Sequence, residues 1–92
     1  MKLIEIGGSS CANCIALMPQ LNVLAERFGL DFIKIDIDDR PESIEIYKID
    51  RVPSILICDG EKIIAKCTGY QPQEILELWI EAKLEEYKRG LQ

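Results

Sequence analysis

Cys11-Ala12-Asn13-Cys14 is the stretch that decides how this chain folds. It follows an apolar run, residues 2–6, and a loop of two glycines and two serines, and it precedes a segment, residues 15–28, with apolar side chains at helical spacing. Two cysteines three positions apart fit the first turn of a helix, where free backbone N–H groups and the helix dipole favour negative charge. The pKa of a thiol there falls below its free value of about 8.5. A strand, a tight loop and paired cysteines at a helix start therefore predict a redox-active dithiol.

The composition limits the class of protein. With 48% hydrophobic and 29% charged residues, the 92-residue chain fits one folded domain over residues 1–92. Its formal net charge of −5 makes nucleic acid an unexpected partner. No apolar stretch reaches transmembrane length, and Glu5 interrupts the first run too early for a secretory signal, so we expect no membrane contact and a cytoplasmic location. In that compartment a Cys-x-x-Cys pair is redox-active or metal-binding rather than part of a disulfide scaffold.

Apolar periodicity and turn residues predict the element order β-α-β-α-β-β-α. Ser9 or Ser10 is expected to cap the first helix, which Pro19 should kink and Gly29 should end. One helix between two apolar strands predicts a parallel βαβ unit, and an Asp59-Gly60 turn predicts a hairpin of the last two strands. The predicted strands are residues 3–6, 31–38, 55–58 and 62–67.

Two further helices are predicted. Asp39 or Arg40 should cap a short one that has Pro41 at its first position and ends near Lys48. Pro72 should begin the last helix. The residues expected on its buried side are Ile75, Leu76, Trp79, Ile80, Leu84 and Tyr87.

Two more cysteines flank the hairpin unequally. With a two-residue Asp59-Gly60 loop, Cys58 would pair with Glu61, and Cys67 would lie far along the partner strand. Each residue between them adds about 3.3 Å of strand length. That separation is too long for a disulfide. We therefore expect Cys58 and Cys67 to be buried, inert thiols.

Several marks coincide at characteristic separations. Cys11 and Cys14 follow the first strand, Pro19 lies in the next helix, Val52-Pro53-Ser54 precedes the third strand and Gly69 follows the last. Over nearly its whole length the chain resembles the thioredoxin family. The resemblance implies an α/β fold with a four-stranded mixed sheet, strand order 2-1-3-4, and helices on both faces.

The resemblance also implies a function. A thioredoxin-like protein reduces the disulfides of other proteins and holds no cofactor beyond its redox-active disulfide, here Cys11–Cys14. Cys11 would be the nucleophile that forms a mixed disulfide, and Cys14 would resolve it. Val52, a cis Pro53 and Gly69 would contact the substrate backbone. Electrons would come from an NADPH-linked flavoprotein reductase, and the protein would act as a monomer.

Glu5 lies six residues before Cys11 and matches by spacing the buried acid of thioredoxins, while Lys34 matches the lysine that accompanies it. Burial raises the pKa of such a carboxyl, and a nearby ammonium lowers it. A carboxylate in this position could take a proton from Cys14 through a water molecule. The alternative for Glu5 is a solvent-exposed strand end with a simple lysine partner.

The chain departs from thioredoxins at three points. Ser10 stands in place of a tryptophan, and Ala12-Asn13 replaces Gly-Pro. We also expect residues 1–92 to hold no counterpart of the N-terminal strand and helix of thioredoxins, so that the domain resembles a minimal, glutaredoxin-sized version of them. Two other functions stay open. A Cys-x-x-Cys pair at a loop–helix junction also binds Cu(I) or Zn²⁺, as in a soft-metal carrier, although the leading interpretation has no metal. A redox-sensing binding module of the same fold is the other.

Overall fold

The computed structural model describes residues 1–90 and contains four strands and three helices in the predicted order. Their bounds are β1 Lys2–Gly7, α1 Ala12–Phe28, β2 Asp31–Asp36, α2 Ser43–Ile46, β3 Ser54–Asp59, β4 Lys62–Thr68 and α3 Gln73–Gly90. Within these residues, no helix combines the length and the apolar character that crossing a bilayer requires.

The four strands form one mixed sheet in the order β2-β1-β3-β4, which confirms the predicted topology. β1 and β2 are parallel because α1 carries the chain back across the sheet between them. β3 runs antiparallel to both β1 and β4.

The strand register gathers several loops at one edge of the sheet. Gly7, the last residue of β1, pairs with Asp36, the last residue of β2. On the other side, Ile6 pairs with Ser54, and Ser54 pairs with Thr68. The loop before Cys11, the loop after β2, the segment before β3 and the segment after β4 therefore all lie at this edge.

Each face of the sheet has its own apolar cluster. Alternating residues of β1 and β3 face α1 and α3, and the buried members of that cluster are Leu3, Leu17, Leu21, Leu24, Ala25, Leu30, Ile55, Ile57, Leu76 and Ile80. The opposite face packs against the segment around α2 through Ile4, Ile6, Ile35, Leu56 and Cys58, with Tyr47 and Ile49 partly buried beside them. Helical segments thus cover both faces, as predicted.

The ends of α1 show one confirmed and one wrong prediction. Gly29 ends the helix with φ of 68°, and its N–H donates to the carbonyl of Ala25. Neither Ser9 nor Ser10 caps the start: Cys11 is the N-cap residue. The helix continues through Pro19, which has no N–H to donate.

Two element boundaries in the middle of the chain were predicted incorrectly. β2 ends at Asp36 rather than Asp38, because the Asp36 carboxylate accepts from the Asp38 backbone N–H and turns the chain. α2 is a single turn that starts at Ser43, after Glu42. The residues before it form hydrogen bonds between residues three positions apart, such as the bond from the Ser43 N–H to the Arg40 carbonyl. Neither Asp39 nor Arg40 therefore caps this helix.

The hairpin also differs from its prediction. Asp59 pairs with Lys62, so the loop is Gly60-Glu61 and not Asp59-Gly60. Gly60 has φ of 62° at the first loop position, a conformation that glycine adopts readily. An irregularity between Ile57 and Cys58 then pairs Cys58 with Ile63.

α3 begins one residue later than predicted, with Pro72 just before it. Leu76 and Ile80 are buried as predicted, but Ile75 is 50% exposed. Ile75 precedes Leu76 by one residue, which turns it about 100° around the helix axis away from that buried side.

Candidate active site

A tight turn leads into the first cysteine, Cys11. The Cys11 N–H donates to the Gly8 carbonyl at 3.2 Å, which closes a four-residue turn. Ser9, inside this turn, is held from the loop after β2: its N–H donates to Asp38 Oδ2 at 2.9 Å and its hydroxyl to Asp36 Oδ2 at 2.6 Å. Because Ser9 bonds to these two carboxylates, it is not free to cap α1.

Cys11 caps α1 with its sulfur. Its Sγ accepts from the Cys14 backbone N–H at 3.2 Å. Cys11 is partly exposed, whereas Cys14 is fully buried. The two form a disulfide with their Cα atoms 5.2 Å apart, well within the usual range. A partly exposed cysteine therefore lies at a helix start and is bonded to a fully buried one.

The segment before β3 lies at the same edge of the sheet as this disulfide. The Val52–Pro53 peptide bond is cis, and Pro53 is buried. The Pro53 carbonyl accepts from the Gly69 N–H at 2.8 Å, which joins the two segments. Gly69 has φ of 87°, and within residues 1–90 no atom apart from those of Gly69 and its two chain neighbours lies within 4 Å of where its Cβ would stand. Within residues 1–90, Val52 makes no backbone hydrogen bond of the loop or turn type.

Glu5 is fully buried in the middle of β1. Neither carboxyl oxygen has a hydrogen-bond partner within the described part of the chain. Desolvation raises the pKa of Glu5 to about 7, against an opposing effect of the Lys34 ammonium. A carboxyl with this pKa exchanges protons readily near neutral pH.

Lys34 lies in β2 directly in register with Glu5, and register partners in parallel strands share a face of the sheet. Leu3, Glu5 and Gly7 alternate onto the face that packs against α1. The two ionisable groups and the buried sulfur of Cys14 therefore lie on the same side of the sheet.

Asp36 and Asp38 are site residues that were not predicted from the sequence. The hydrogen bond from the Ser9 hydroxyl, followed by that from the Asp38 N–H, lowers the pKa of the Asp36 carboxyl. The Asp-x-Asp pattern at the end of β2 could have indicated them. Parallel strands end at the same edge of the sheet, so residues at the end of β2 lie near the loop that follows β1 and precedes Cys11.

Two exposed apolar side chains at this edge of the sheet were not predicted as site residues from the sequence. Ile15, which belongs to the apolar pattern of α1, is 55% exposed one residue after Cys14. Tyr70 is 43% exposed directly after Gly69, and its hydroxyl accepts from Gln20 Nε2 at 3.1 Å. Exposed apolar side chains in this part of the surface are suited to contacting another protein.

The remaining cysteines are free. Cys58 is buried on the α2 side of the sheet, whereas Cys67 is only partly buried and packs toward α3. Burial raises the pKa of both thiols, that of Cys67 to about 11. Thiols with raised pKa values hold little reactive thiolate at neutral pH. Within residues 1–90, no group of three or more His, Cys, Asp or Glu side chains could hold a metal ion.

Comparison with known proteins bears directly on this site. The family model described as Thioredoxin matches residues 1–82, which include every site residue named above. Thioredoxin from Staphylococcus epidermidis is 27% identical over 78 residues, which cover 83% of this chain and 75% of that protein. Thioredoxin from Staphylococcus aureus is 26% identical over the same shares.

Solved structures agree with the sequence comparison. Thioredoxin 1 from Thermosipho africanus superposes with a TM-score of 0.82 at 25% identity, covering 96% of this chain and 99% of that one. Mitochondrial thioredoxin 3 from Saccharomyces cerevisiae has a TM-score of 0.76 at 22% identity and covers 87% and 76%, which speaks for the fold alone. With the Cys-x-x-Cys disulfide inside the matched region, the chain is a thiol–disulfide oxidoreductase that reduces protein disulfides, and it belongs to the thioredoxin family.

Proposed function

We propose that Cys11 is the nucleophile of this reductase. In the reduced protein its thiolate attacks one sulfur of a substrate disulfide, forms a mixed disulfide and releases the other substrate sulfur as a thiolate. The observation that carries the proposal is the contrast within the pair: Cys11 is partly exposed at the N-cap, whereas Cys14 has no exposed surface. The Cys14 N–H, which donates to Cys11 Sγ, favours the thiolate form of that sulfur.

Cys14 completes the exchange in this proposal. Its thiolate attacks the Cys11 sulfur of the mixed disulfide, so that the Cys11–Cys14 bond forms and the second substrate sulfur leaves. The net reaction moves two electrons and two protons from the protein dithiol to the substrate. Glu5 accepts the Cys14 proton through a water molecule, and Lys34 keeps the pKa of Glu5 low enough for that task. A pKa of about 7 and the shared face of the sheet support this role.

Val52, Pro53 and Gly69 form the substrate-binding edge. An extended substrate segment lies along Val52 and pairs with its backbone groups, as an added strand would. Within residues 1–90, the lack of a loop or turn hydrogen bond at the Val52 backbone and the open space beside Gly69 support this role. Ile15 and Tyr70 flank the edge and contact apolar side chains of the client protein.

We also propose a cellular setting for this reductase. The dithiol is regenerated by an NADPH-linked flavoprotein reductase, and the protein works as a cytoplasmic monomer. The free thiols of Cys58 and Cys67 support the cytoplasmic location, because thiols are kept reduced in that compartment. Size-exclusion chromatography with light scattering tests the monomer, and turnover with purified flavoprotein reductase and NADPH tests the electron source.

Reduction of insulin disulfides tests the proposed roles. Wild type should catalyse the reaction in the presence of dithiothreitol, and Cys11→Ser should abolish catalysis. Cys14→Ser should accumulate a mixed disulfide. Retained activity in Cys11→Ser would contradict the proposal. Tight Cu(I) binding by a wild type that reduces no disulfide would favour the soft-metal carrier, and inactivity without copper binding would favour a redox-sensing module.

A further inference from the structure

Gly7 lies directly against Cys14, and the Cys14 side chain leaves no room for a side chain at Gly7. A Cβ at Gly7 would lie 2.8 Å from Cys14 Cβ and 2.9 Å from Cys14 Sγ, closer than real Cβ atoms approach. Gly7 does not have a positive φ, unlike Gly29, Gly60 and Gly69. Glycine is therefore required here by space and not by backbone conformation.

Both sides of this contact are fixed. Gly7 pairs with Asp36, and its carbonyl accepts from the Ile37 N–H at 2.9 Å, so the end of β1 is held within the sheet. Cys14 is fully buried on α1, and Leu17, one turn further along, is fully buried in the core. Because close-packed interiors resist displacement, β1 and α1 are held at their present separation and do not move apart to admit a larger side chain.

We propose that Gly7 is a positioning residue for the resolving step: the missing Cβ provides the space in which Cys14 Sγ reaches the Cys11 sulfur. This inference rests on the proposed roles of Cys11 and Cys14. In the resolving step the Cys14 thiolate attacks Cys11 Sγ, the new bond joins the two cysteines, and the substrate thiolate leaves with its electron pair. An added methyl group displaces the Cys14 sulfur from its line of attack, whereas no atom of Cys11 lies within 4 Å of that methyl group.

The effect should therefore separate the two steps of the exchange. In Gly7→Ala, attack by Cys11 on a substrate disulfide should stay within about twofold of wild type, because Cys11 lies outside the contact. Resolution by Cys14 should slow at least tenfold, and a mixed disulfide should accumulate. The equilibrium between dithiol and disulfide should move about tenfold toward the dithiol, which raises the reduction potential by about 30 mV.

Gly8→Ala is the matched control. Among residues 1–90, apart from its own chain neighbours, a Cβ at Gly8 would meet only Asp38 Oδ2, at 3.8 Å, which is an ordinary contact. Stopped-flow mixing with an insulin-derived disulfide peptide, followed by acid quench and mass spectrometry, measures both steps. Glutathione titration measures the potential. Gly8→Ala should match wild type in all three quantities.

Equal resolution rates in Gly7→Ala and Gly8→Ala would overturn the inference while leaving the proposed function intact. A wild type that forms no mixed disulfide would instead overturn the proposed function itself. If Gly7→Ala does not fold, a double-mutant cycle with Cys14→Gly decides, since removing the Cys14 side chain removes the clash. The cycle should then show that Gly7→Ala is tolerated in the Cys14→Gly background, and equal destabilisation in both backgrounds would contradict the contact.

Discussion

Glu5 of β1 lies in register with Lys34 of β2, and both lie on the face of the sheet that packs against α1. The carboxyl is fully buried, with neither oxygen hydrogen-bonded within residues 1–90. Burial therefore outweighs the attraction of the ammonium, and the pKa of Glu5 rises to about 7. An apolar side chain at this position would make the folded protein more stable. The presence of an acid there supports the functional role proposed for Glu5.

Glu5→Gln should stabilise the protein at alkaline pH. In wild type the unfolded chain ionises Glu5 above its ordinary pKa of 4.5, while the folded protein holds the proton up to about 7. Stability therefore falls as pH rises between these values and levels off above them. At pH 8 the variant should be more stable by about 3 kcal/mol, with little difference at pH 4. Urea unfolding across this range measures it, with Glu61→Gln as an exposed control, and parallel curves for wild type and Glu5→Gln would contradict the raised pKa.

Lys34→Met should raise the pKa of Glu5 further, because the ammonium is the group that lowers it. If Glu5 accepts the Cys14 proton, the pH profile of the resolving step should move to higher pH in this variant. Single-turnover reduction of a disulfide peptide between pH 5 and 9 measures the profile. Lys88→Met, at an exposed position of α3, should leave it unchanged. A profile that also stays fixed in Lys34→Met would remove Lys34 from the mechanism.

Ser9→Ala should return the pKa of Asp36 toward its ordinary value, because the Ser9 hydroxyl is the main cause of its lowering. A carboxyl with a lowered folded-state pKa adds stability above its unfolded pKa, and this is lost as pH falls through the folded value. The stability difference between wild type and Ser9→Ala should therefore shrink in acid. Carboxyl NMR titration of Asp36 checks the shift, and Ser10→Ala serves as the neighbouring control. An unchanged Asp36 titration in Ser9→Ala would rule out the hydroxyl as its cause.

Leu17→Ala should destabilise the fold by about 2–5 kcal/mol, since it leaves a cavity where α1 packs on the sheet. Leu17 has no exposed surface, whereas Val23 on the same helix is 45% exposed. Val23→Ala should therefore change stability by only about 0.5 kcal/mol. Urea unfolding compares the two variants, and equal losses would contradict the packing described for α1.

The sequence was sufficient for features that local pattern controls. The spacing of Leu17, Leu21 and Leu24 specifies the buried side of α1, and Gly29 ends it through its left-handed conformation. The pairing of Cys11 with Cys14 follows from a separation of three residues within one helical turn.

Features that depend on distant residues could not be predicted in the same way. Ser9 has the chemistry of a helix cap, but Asp36 and Asp38, nearly thirty positions away, take its hydrogen bonds, so the cap passes to Cys11. The contact of Gly7 with Cys14 depends on how closely α1 approaches β1, which no local pattern encodes. Tertiary contacts therefore set the fine geometry of the site, and local pattern sets its location.

The most direct test of the account is to identify the cysteine that a client protein traps. Reduced Cys14→Ser, mixed with a disulfide-containing client and digested, should yield one mixed disulfide, located at Cys11 by peptide mass spectrometry. Cys58 and Cys67 are the internal controls, because both are free thiols with raised pKa values. A client linked to either of them, or no linkage at all, would contradict the claim that Cys11, the partly exposed cysteine at the start of α1, performs the exchange.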